Sequence, residues 1–312
     1  MPQESVVQHL ALPSLSDIPF RCGFVALIGR PNVGKSTLLN TLVGAKVALV
    51  APKPQTTRTR VVGIKTLARA QFIFVDTPGL HRPTRSLLNR RMVETALGVW
   101  HDTDVLVLVV DAQRGLNPAD EEIISRLSGV PTPLLIVLNK IDLVARSALL
   151  PLLERLATLL PARDIIPVSA RSGENTPELL KTLTATLPLG PPLYPSDDLT
   201  DQSERVLAQE MVREQLFLLT EQEVPYAAAV MVEEFTEKPE KSLLVIRAVI
   251  YVERPSQRAI ILGTRGSRLK QIGQAARLQL EEFFGCRVFL DLFVKVAKGW
   301  TNNPVMLKAL GL

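Results

Sequence analysis

The sequence predicts an α/β domain with a mostly parallel sheet, followed by a smaller α+β domain. Three observations carry this. From Gly23 to about Leu187, apolar runs of strand length alternate with helix-like segments, the pattern of a parallel sheet covered on both faces. Pro188-Leu189-Gly190-Pro191-Pro192-Leu193-Tyr194-Pro195 then interrupts every periodicity, as a proline-stiffened connector does. Beyond it a helix precedes strands instead of another βα unit. The expected division is a loose tail over 1–20, a first domain over 21–188, a linker over 189–200 and a second domain with its C-terminal tail over 201–312.

Taken in order, Phe24-Val25-Ala26-Leu27-Ile28 reads as a buried strand. Gly29-Arg30-Pro31-Asn32-Val33-Gly34-Lys35-Ser36 follows it, and a helix begins near Thr37. This fits the phosphate-binding loop in spacing and in context. Its backbone N–H groups and the helix N-terminus suit an anion. Lys35 would reach the β- and γ-phosphates, and the Ser36 hydroxyl would take Mg²⁺.

Three further motifs lie at strand ends, where open α/β sheets bind ligands. Asp76-Thr77-Pro78-Gly79 closes Phe72-Ile73-Phe74-Val75; a carboxylate there can hold Mg²⁺ through water, and a glycine N–H can meet the γ-phosphate. Asn139-Lys140-Ile141-Asp142 closes Leu134 to Leu138. An aspartate aimed at the N1 and 2-amino donors of guanine selects that base, because the wrong base strands a carboxylate. Ser169-Ala170 closes Ile165 to Val168, and a backbone N–H there suits guanine O6. Each motif alone is weak; all four in this order form the signature of a translation-factor-type GTPase domain.

The segment from Lys46 to Val61 reads as the first switch; Thr56-Thr57-Arg58 resembles the switch threonine motif of such GTPases, and that resemblance makes Thr57 the first choice of Mg²⁺ ligand and Thr56 the second. Ser36, Thr57 and Asp76 form the expected metal set, and Lys35, Thr57, Asp76 and Gly79 the expected catalytic set. Leu80 stands where Ras-like switches carry a water-orienting glutamine; leucine cannot hydrogen-bond water, so slow hydrolysis of GTP to GDP is expected. Asn32 inside the loop suggests a monovalent cation, K⁺, beside the phosphates; the alternative is a local hydrogen bond that stabilises the loop. Nine basic residues between Lys53 and Arg91 face one acid, Asp76. They read either as a solvated switch surface or as groups that touch RNA or the second domain in one nucleotide state.

In the second domain, Glu204 to Thr220 reads as a helix, Ala227 to Val232 and Leu243 to Val252 as strands joined by a charged connection over Glu237 to Lys241, and Cys286 to Val296 as a third strand. Gly263-Thr264-Arg265-Gly266 falls between two helices, the order of a type II KH domain, whose G-x-x-G turn clamps a nucleic-acid backbone. Arg254 to Arg277 holds six basic side chains and no acid. Arg258, Gly263, Thr264, Arg265, Gly266, Arg268 and Lys270 are the expected RNA contacts.

The net charge of +5 allows nucleic acid or anionic membrane and decides neither. Cys22 and Cys286 have no ligand-like spacing, so a reducing compartment without structural zinc is expected. No apolar run approaches the ~20 residues of a membrane span, and residues 1–20 do not read as a signal peptide. A metabolic P-loop kinase has no use for Asn139-Lys140-x-Asp142. A membrane-associated signalling GTPase that meets anionic lipid through Arg254 to Gly273 is the alternative, opposed by the G-x-x-G break in that stretch.

With both halves read, the chain resembles the Era family, bacterial GTPases joined to a C-terminal KH domain. The resemblance rests on GRPNVGKSTLLN at 29–40, PQTTRTRVVGI at 54–64, DTPGLH at 76–81, NKID at 139–142, SA at 169–170, ILGTRGSRLKQIG at 261–273 and VKVAKGW at 294–300. It implies a cytoplasmic factor that binds GTP, binds near the 3′ end of 16S ribosomal RNA, assists maturation of the 30S subunit and makes a peripheral membrane contact. One departure stands out: loops of this family usually read Gly-Lys-Gly-Gly, and this chain has Gly263-Thr264-Arg265-Gly266.

Overall fold

The structure, a computed structural model, describes residues 19–51, 53, 56–79, 86–160 and 162–312. Leu80 and the tail over 1–18 lie outside them, as do Pro52, Pro54 and Gln55 of the first switch. The first domain contains β1 (Arg21–Ile28), α1 (Lys35–Val43), β2 (Val61–Leu67), β3 (Ala70–Asp76), α2 (Leu87–Gly98), β4 (Val105–Asp111), α3 (Pro118–Leu127), β5 (Leu134–Asn139), α4 (Arg146–Leu159), β6 (Asp164–Val168) and α5 (Thr176–Thr186). The sheet order is β2-β3-β1-β4-β5-β6. Only β2, hairpin-paired with β3, runs antiparallel.

Alternation along each strand sorts the core into two layers. Val25, Leu27, Val107 and Val137 face Leu38, Leu39 and Leu42 of α1 and Leu179 and Leu183 of α5. Ala26, Ile28, Leu108 and Leu138 face Ala96 of α2, Ile123, Ile124 and Leu127 of α3 and Leu156 of α4. Strands apolar on both faces read as continuous hydrophobic runs for this reason.

The linker is strapped to the sheet. Gln71, buried in β3, accepts from the Leu193 and Tyr194 N–H groups at 2.7 and 2.9 Å and donates to the Tyr194 carbonyl at 2.8 Å. Farther on, Ile64 N–H donates to Leu199 O at 2.8 Å and Thr200 Oγ1 to Val62 O at 2.6 Å. These bonds occupy the outer edge of β2.

The second domain contains α6 (Glu204–Leu219), β7 (Ala228–Lys238), β8 (Leu243–Val252), α7 (Pro255–Leu262), α8 (Ser267–Phe284), β9 (Arg287–Val296) and α9 (Pro304–Ala309). β8 is central, antiparallel to β7 and parallel to β9. This is the expected KH order, with two differences. β7 runs six residues past Val232 through a bulge between Val232 and Glu234; its charged half lies in an exposed hairpin arm, where polarity does not oppose a strand. α9 was not read from the sequence. With the fully buried Trp300 it packs Leu307 and Leu310 against Leu88 and Met92 of α2, so the C-terminus joins the two domains.

Candidate nucleotide site and nucleic-acid groove

β1 delivers Gly29 to the end of the sheet, and the loop that follows turns into α1. Gly34, the N-cap of α1, has φ 100, and a Cβ there would lie 2.2 Å from Asn139 Nδ2. No side chain caps α1, so its first N–H groups remain for a ligand. Lys35 is 6% exposed, and its Nζ donates to the Gly29 and Arg30 carbonyls at 3.2 and 3.0 Å. Burial pushes its pKa down, opposed by nearby Asp76. Arg30 contributes its carbonyl; its guanidinium turns away to Asp120, at 2.6 Å, at the start of α3. A cleft of about 430 Å³ is bounded by Asn32, Lys35, Thr37, Thr57, Gly79 and Lys140.

Beside the loop, three oxygen-bearing side chains converge. Ser36 Oγ donates to Asp76 Oδ2 at 2.5 Å, Thr57 Oγ1 donates to the same oxygen at 3.2 Å, and the two hydroxyls lie 3.0 Å apart. Asp76 is fully buried, and among the described residues its Oδ1 has no partner. Burial pushes its pKa up, against the pull of Lys35 and the two hydroxyls. A fully buried carboxylate oxygen without a partner is costly unless a cation completes it, and an all-oxygen donor set suits Mg²⁺. Thr56 is not in this cluster; its hydroxyl donates to the Lys53 carbonyl at 2.6 Å. Thr77 Oγ1 donates back to Leu27 O at 3.1 Å. Pro78 is buried, and a Cβ on Gly79 would lie 2.6 Å from Pro31 N, so backbone passes backbone closely there. Val33 sits in the core beneath the loop.

At the other end, Asn139 fastens two loops: Nδ2 donates to Val33 O at 2.8 Å, and Oδ1 accepts from Ala170 N–H at 2.9 Å. Lys140, with φ 67, donates to Asn32 O at 2.8 Å and to Asp111 Oδ2 at 2.6 Å. Asp142 is exposed and accepts from Ser169 Oγ at 2.7 Å. The Ser169 and Ala170 N–H groups are held by Glu174 O and Asn139, so a contact to guanine O6 requires Ala170 N–H to be shared. Asp111 was missed in the sequence, although an acid closing Val105 to Val110 has the same signal as Asp76.

The first switch is packed on the second domain. Arg58 is 6% exposed and donates to Pro225, Tyr226 and Ala228 carbonyls at 2.9, 3.1 and 2.7 Å. Its guanidinium stands 5.7 Å from the Phe217 ring and 6.0 Å from that of Trp300. Burial, with the charge of Arg213, pushes its pKa down to about 9. Arg213 Nη2 donates to Thr56 O at 2.6 Å, Lys46 pairs with Glu214 at 2.8 Å, and Lys53 donates to Phe217 and Thr220 carbonyls. Of the two readings of the basic switch, packing on the second domain describes Lys46, Lys53 and Arg58, whereas Arg60, with a side chain 47% exposed and 4.0 Å from Asp201, is closer to a solvated charge.

In the second domain, Gly263 has φ 69, and a Cβ there would meet Arg268 Cβ at 2.8 Å; Gly266, φ 78, is the N-cap of α8. Leu269, Lys270, Gly273, Arg277 and Leu290 line an open groove of about 560 Å³ between α8 and β9. Arg258 Nε donates to Val294 O, and Arg268 Nη1 to Ile260 O, both at 3.2 Å. Both arginines are thus partly tied to the fold, while Thr264, Arg265 and Lys270 are exposed.

A family profile described as 50S ribosome-binding GTPase matches residues 24–140, and one described as KH domain matches residues 223–301. The GTPase Era of Syntrophus aciditrophicus is 49% identical over 294 residues, 94% of this chain and 96% of that protein. The chain belongs to the Era family of GTPases. Two solved Era structures superpose over 94% of this Era-family chain and 99% of their own. An Aquifex aeolicus Era variant bound to GDP and AlF₄⁻ gives a TM-score of 0.90 at 41% identity. Era in complex with MgGDPNP and nucleotides 1506–1542 of 16S ribosomal RNA gives 0.91 at 42%.

Proposed function

We propose that this Era-family chain is a GTP-operated clamp on the 3′ region of 16S ribosomal RNA that assists maturation of the 30S subunit. The observation that carries this is the path from the nucleotide cleft to the KH domain. Thr57 lies in the oxygen cluster, its neighbour Arg58 is locked into the second domain, and the groove belongs to that same domain. The solved Era complex with RNA and MgGDPNP supports the same pairing of ligands.

Asp142 reads guanine, and the loop amides and Lys35 hold the phosphates. Ser36, Thr57 and Asp76 would hold Mg²⁺, which when bound supplies counter-charge to the β- and γ-phosphates. The triphosphate itself gives Lys35 the counter-charge that burial denies it, so nucleotide raises the lysine pKa again. The protein's part in hydrolysis is positioning and charge stabilisation, and with no water-orienting side chain assigned, slow turnover follows. The same reading puts the chain in the cytoplasm, with any membrane contact peripheral; among the described residues no helix is long and apolar enough to cross a membrane.

Crosslinking in cells, with sequencing of the bound RNA, tests this reading. Reads concentrate at the 3′ end of 16S ribosomal RNA; a distribution without that peak overturns the proposed partner.

The reading extends to K⁺. Asn32 lines the cleft with φ 64, and an amide side-chain oxygen is the type of donor that coordinates a monovalent cation. Single-turnover hydrolysis at equal ionic strength is expected to run faster in K⁺ than in Na⁺ or Cs⁺, and Asn32→Ala to abolish the difference. Equal rates in all three salts leave Asn32 a structural residue.

A further inference from the structure

We infer that Arg114, on the turn between β4 and α3, is a further catalytic residue of GTP hydrolysis: a guanidinium that the chain itself supplies to the charge developing on the phosphates. The inference rests on the nucleotide reading of the cleft and is independent of the RNA reading of the groove. Arg114 belongs to no motif in the sequence; the fold alone brings it to the site.

Among the described residues three cations line the cleft, Lys35, Lys140 and Arg114. The first two are committed. Lys35 Nζ donates to the Gly29 and Arg30 carbonyls, and Lys140 Nζ is shared by Asn32 O and Asp111 Oδ2. Arg114 is exposed, and among the described residues its guanidinium has no hydrogen-bond or ion-pair partner. Other arginines around α3 do have one: Arg126 pairs with Glu122 and Arg155 with Glu121.

Unpartnered arginines are commonplace on surfaces, but this one stands on an anion site and is tethered there. Asp111, 1% exposed at the end of β4, accepts from the Gln113 and Arg114 N–H groups through Oδ1, at 2.9 and 3.3 Å, and from Lys140 through Oδ2 at 2.6 Å. Lys140 in turn holds Asn32 O at 2.8 Å. One buried carboxylate thus fixes the Arg114 backbone to the phosphate loop, and Gly115, with φ 62, closes the turn. The side chain can meet an anion at the cleft wall without any movement of the backbone.

The triphosphate brings more negative charge than Mg²⁺ and Lys35 offset. In hydrolysis the water oxygen bonds to the γ-phosphorus. The bond from that phosphorus to the β–γ bridging oxygen breaks, and its electron pair stays on GDP. One water proton remains on the released phosphate and the other passes to solvent. Charge in the transition state is spread over the phosphate oxygens, to which a planar guanidinium donates two hydrogen bonds while giving up no proton. Arg114 supplies charge and does not orient the water, so slow turnover is still expected.

The test uses the full chain with Mg²⁺. Single-turnover hydrolysis is measured in K⁺ and in Na⁺ at equal ionic strength. Affinity for fluorescent GDP is measured with and without AlF₄⁻, the pair of ligands in the solved Aquifex aeolicus Era structure, which together mimic the transferring phosphoryl group. Thermal midpoints are recorded alongside. Arg114→Ala is expected to lower the rate about 10²-fold, the usual loss when one donor to the developing charge is removed. The factor should be the same in both salts, which separates Arg114 from a cation at Asn32. The tightening of GDP by AlF₄⁻ should shrink by a similar factor, while affinity for GDP alone and for a non-hydrolysable GTP analogue moves by less than about three-fold. Arg114→Lys, which keeps the charge and loses the fork, is expected to recover part of the rate.

An unchanged rate in Arg114→Ala makes Arg114 a solvated surface cation and overturns the inference. An equal loss of affinity for the GTP analogue and for GDP with AlF₄⁻ marks ground-state binding and overturns it too, as does a midpoint that falls together with the rate. If the wild type binds neither GDP nor the GTP analogue, the nucleotide reading of the cleft fails and takes the inference with it.

Discussion

Replacing Asp142 by asparagine is expected to lower GTP affinity roughly 10²- to 10⁴-fold, the loss of two charge-assisted hydrogen bonds at about 1.5–3 kcal/mol each. Affinity for xanthosine triphosphate is expected to rise. Ser169 Oγ donates to one oxygen of the Asp142 carboxylate. In the variant that hydroxyl selects the amide oxygen and leaves the NH₂ group facing the base, where it meets the extra carbonyl of xanthine and repels the donors of guanine. The fold is preserved, because the Ser169 bond survives and Asp142 is exposed. Competition binding with GTP, XTP and ATP reads the outcome; an unchanged preference for GTP removes Asp142 from the base site.

The second large effect is expected at Arg58. Arg58→Ala removes the donor to the buried bonds at the Pro225 and Ala228 carbonyls and to the half-buried one at Tyr226 and opens a hole between Phe217 and Trp300. Groups left unpaired in this way cost about 1–3 kcal/mol each before relaxation, so the hold of the KH domain on the switch loosens at Thr57, leaving the contacts of Lys46, Lys53 and Arg213. RNA affinity measured with GDP and with a non-hydrolysable GTP analogue should differ about 5- to 150-fold in the wild type, the usual span of coupling between two sites. In Arg58→Ala the difference should collapse toward unity. Arg60→Ala, at an exposed neighbour 4.0 Å from Asp201, should keep it. If Arg58→Ala retains the full wild-type difference, this contact does not couple the two sites.

Much of this arrangement was legible in the sequence, for definite reasons. A run such as Val105-Leu106-Val107-Leu108-Val109-Val110 is apolar on both faces of one strand, so it announces a covered parallel sheet. An acid or amide at the end of such a run announces a site. Glycines at 29, 34 and 263 mark turns where the structure leaves no room for a Cβ. What stayed hidden depends on distant partners. Gln71 is one polar residue in an apolar strand, and the linker backbone, far off in sequence, takes three of its hydrogen bonds. Arg58 has the same local signal as solvated Arg60; burial by Phe217 and Trp300 separates them, and both rings lie more than 150 residues away in sequence. Arg30 reads as a phosphate ligand by position; its Nε pairs with Asp120 of α3, while its buried Nη2 has no hydrogen-bond partner among the described residues. The charged half of β7 defeats the hydrophobic pattern because Phe235 alone of its side chains packs on the core, against Phe284, while Glu233, Thr236, Glu237 and Lys238 are exposed.

The strap along β2 also has a meaning in time. Val62 O receives its outer partner from a residue 138 positions later in the chain. At about 5–20 residues per second, that partner is synthesised roughly 7–30 s after the strand it protects. During this interval the newly made sheet presents Val61 to Ile64 with an open hydrogen-bonding edge, the kind of surface to which a neighbouring nascent chain can add. The strand is short and leads into Lys65, which limits such pairing. Once residues 199 and 200 arrive the edge is closed by the chain itself, and the same event sets the starting point from which the RNA-binding half is laid down.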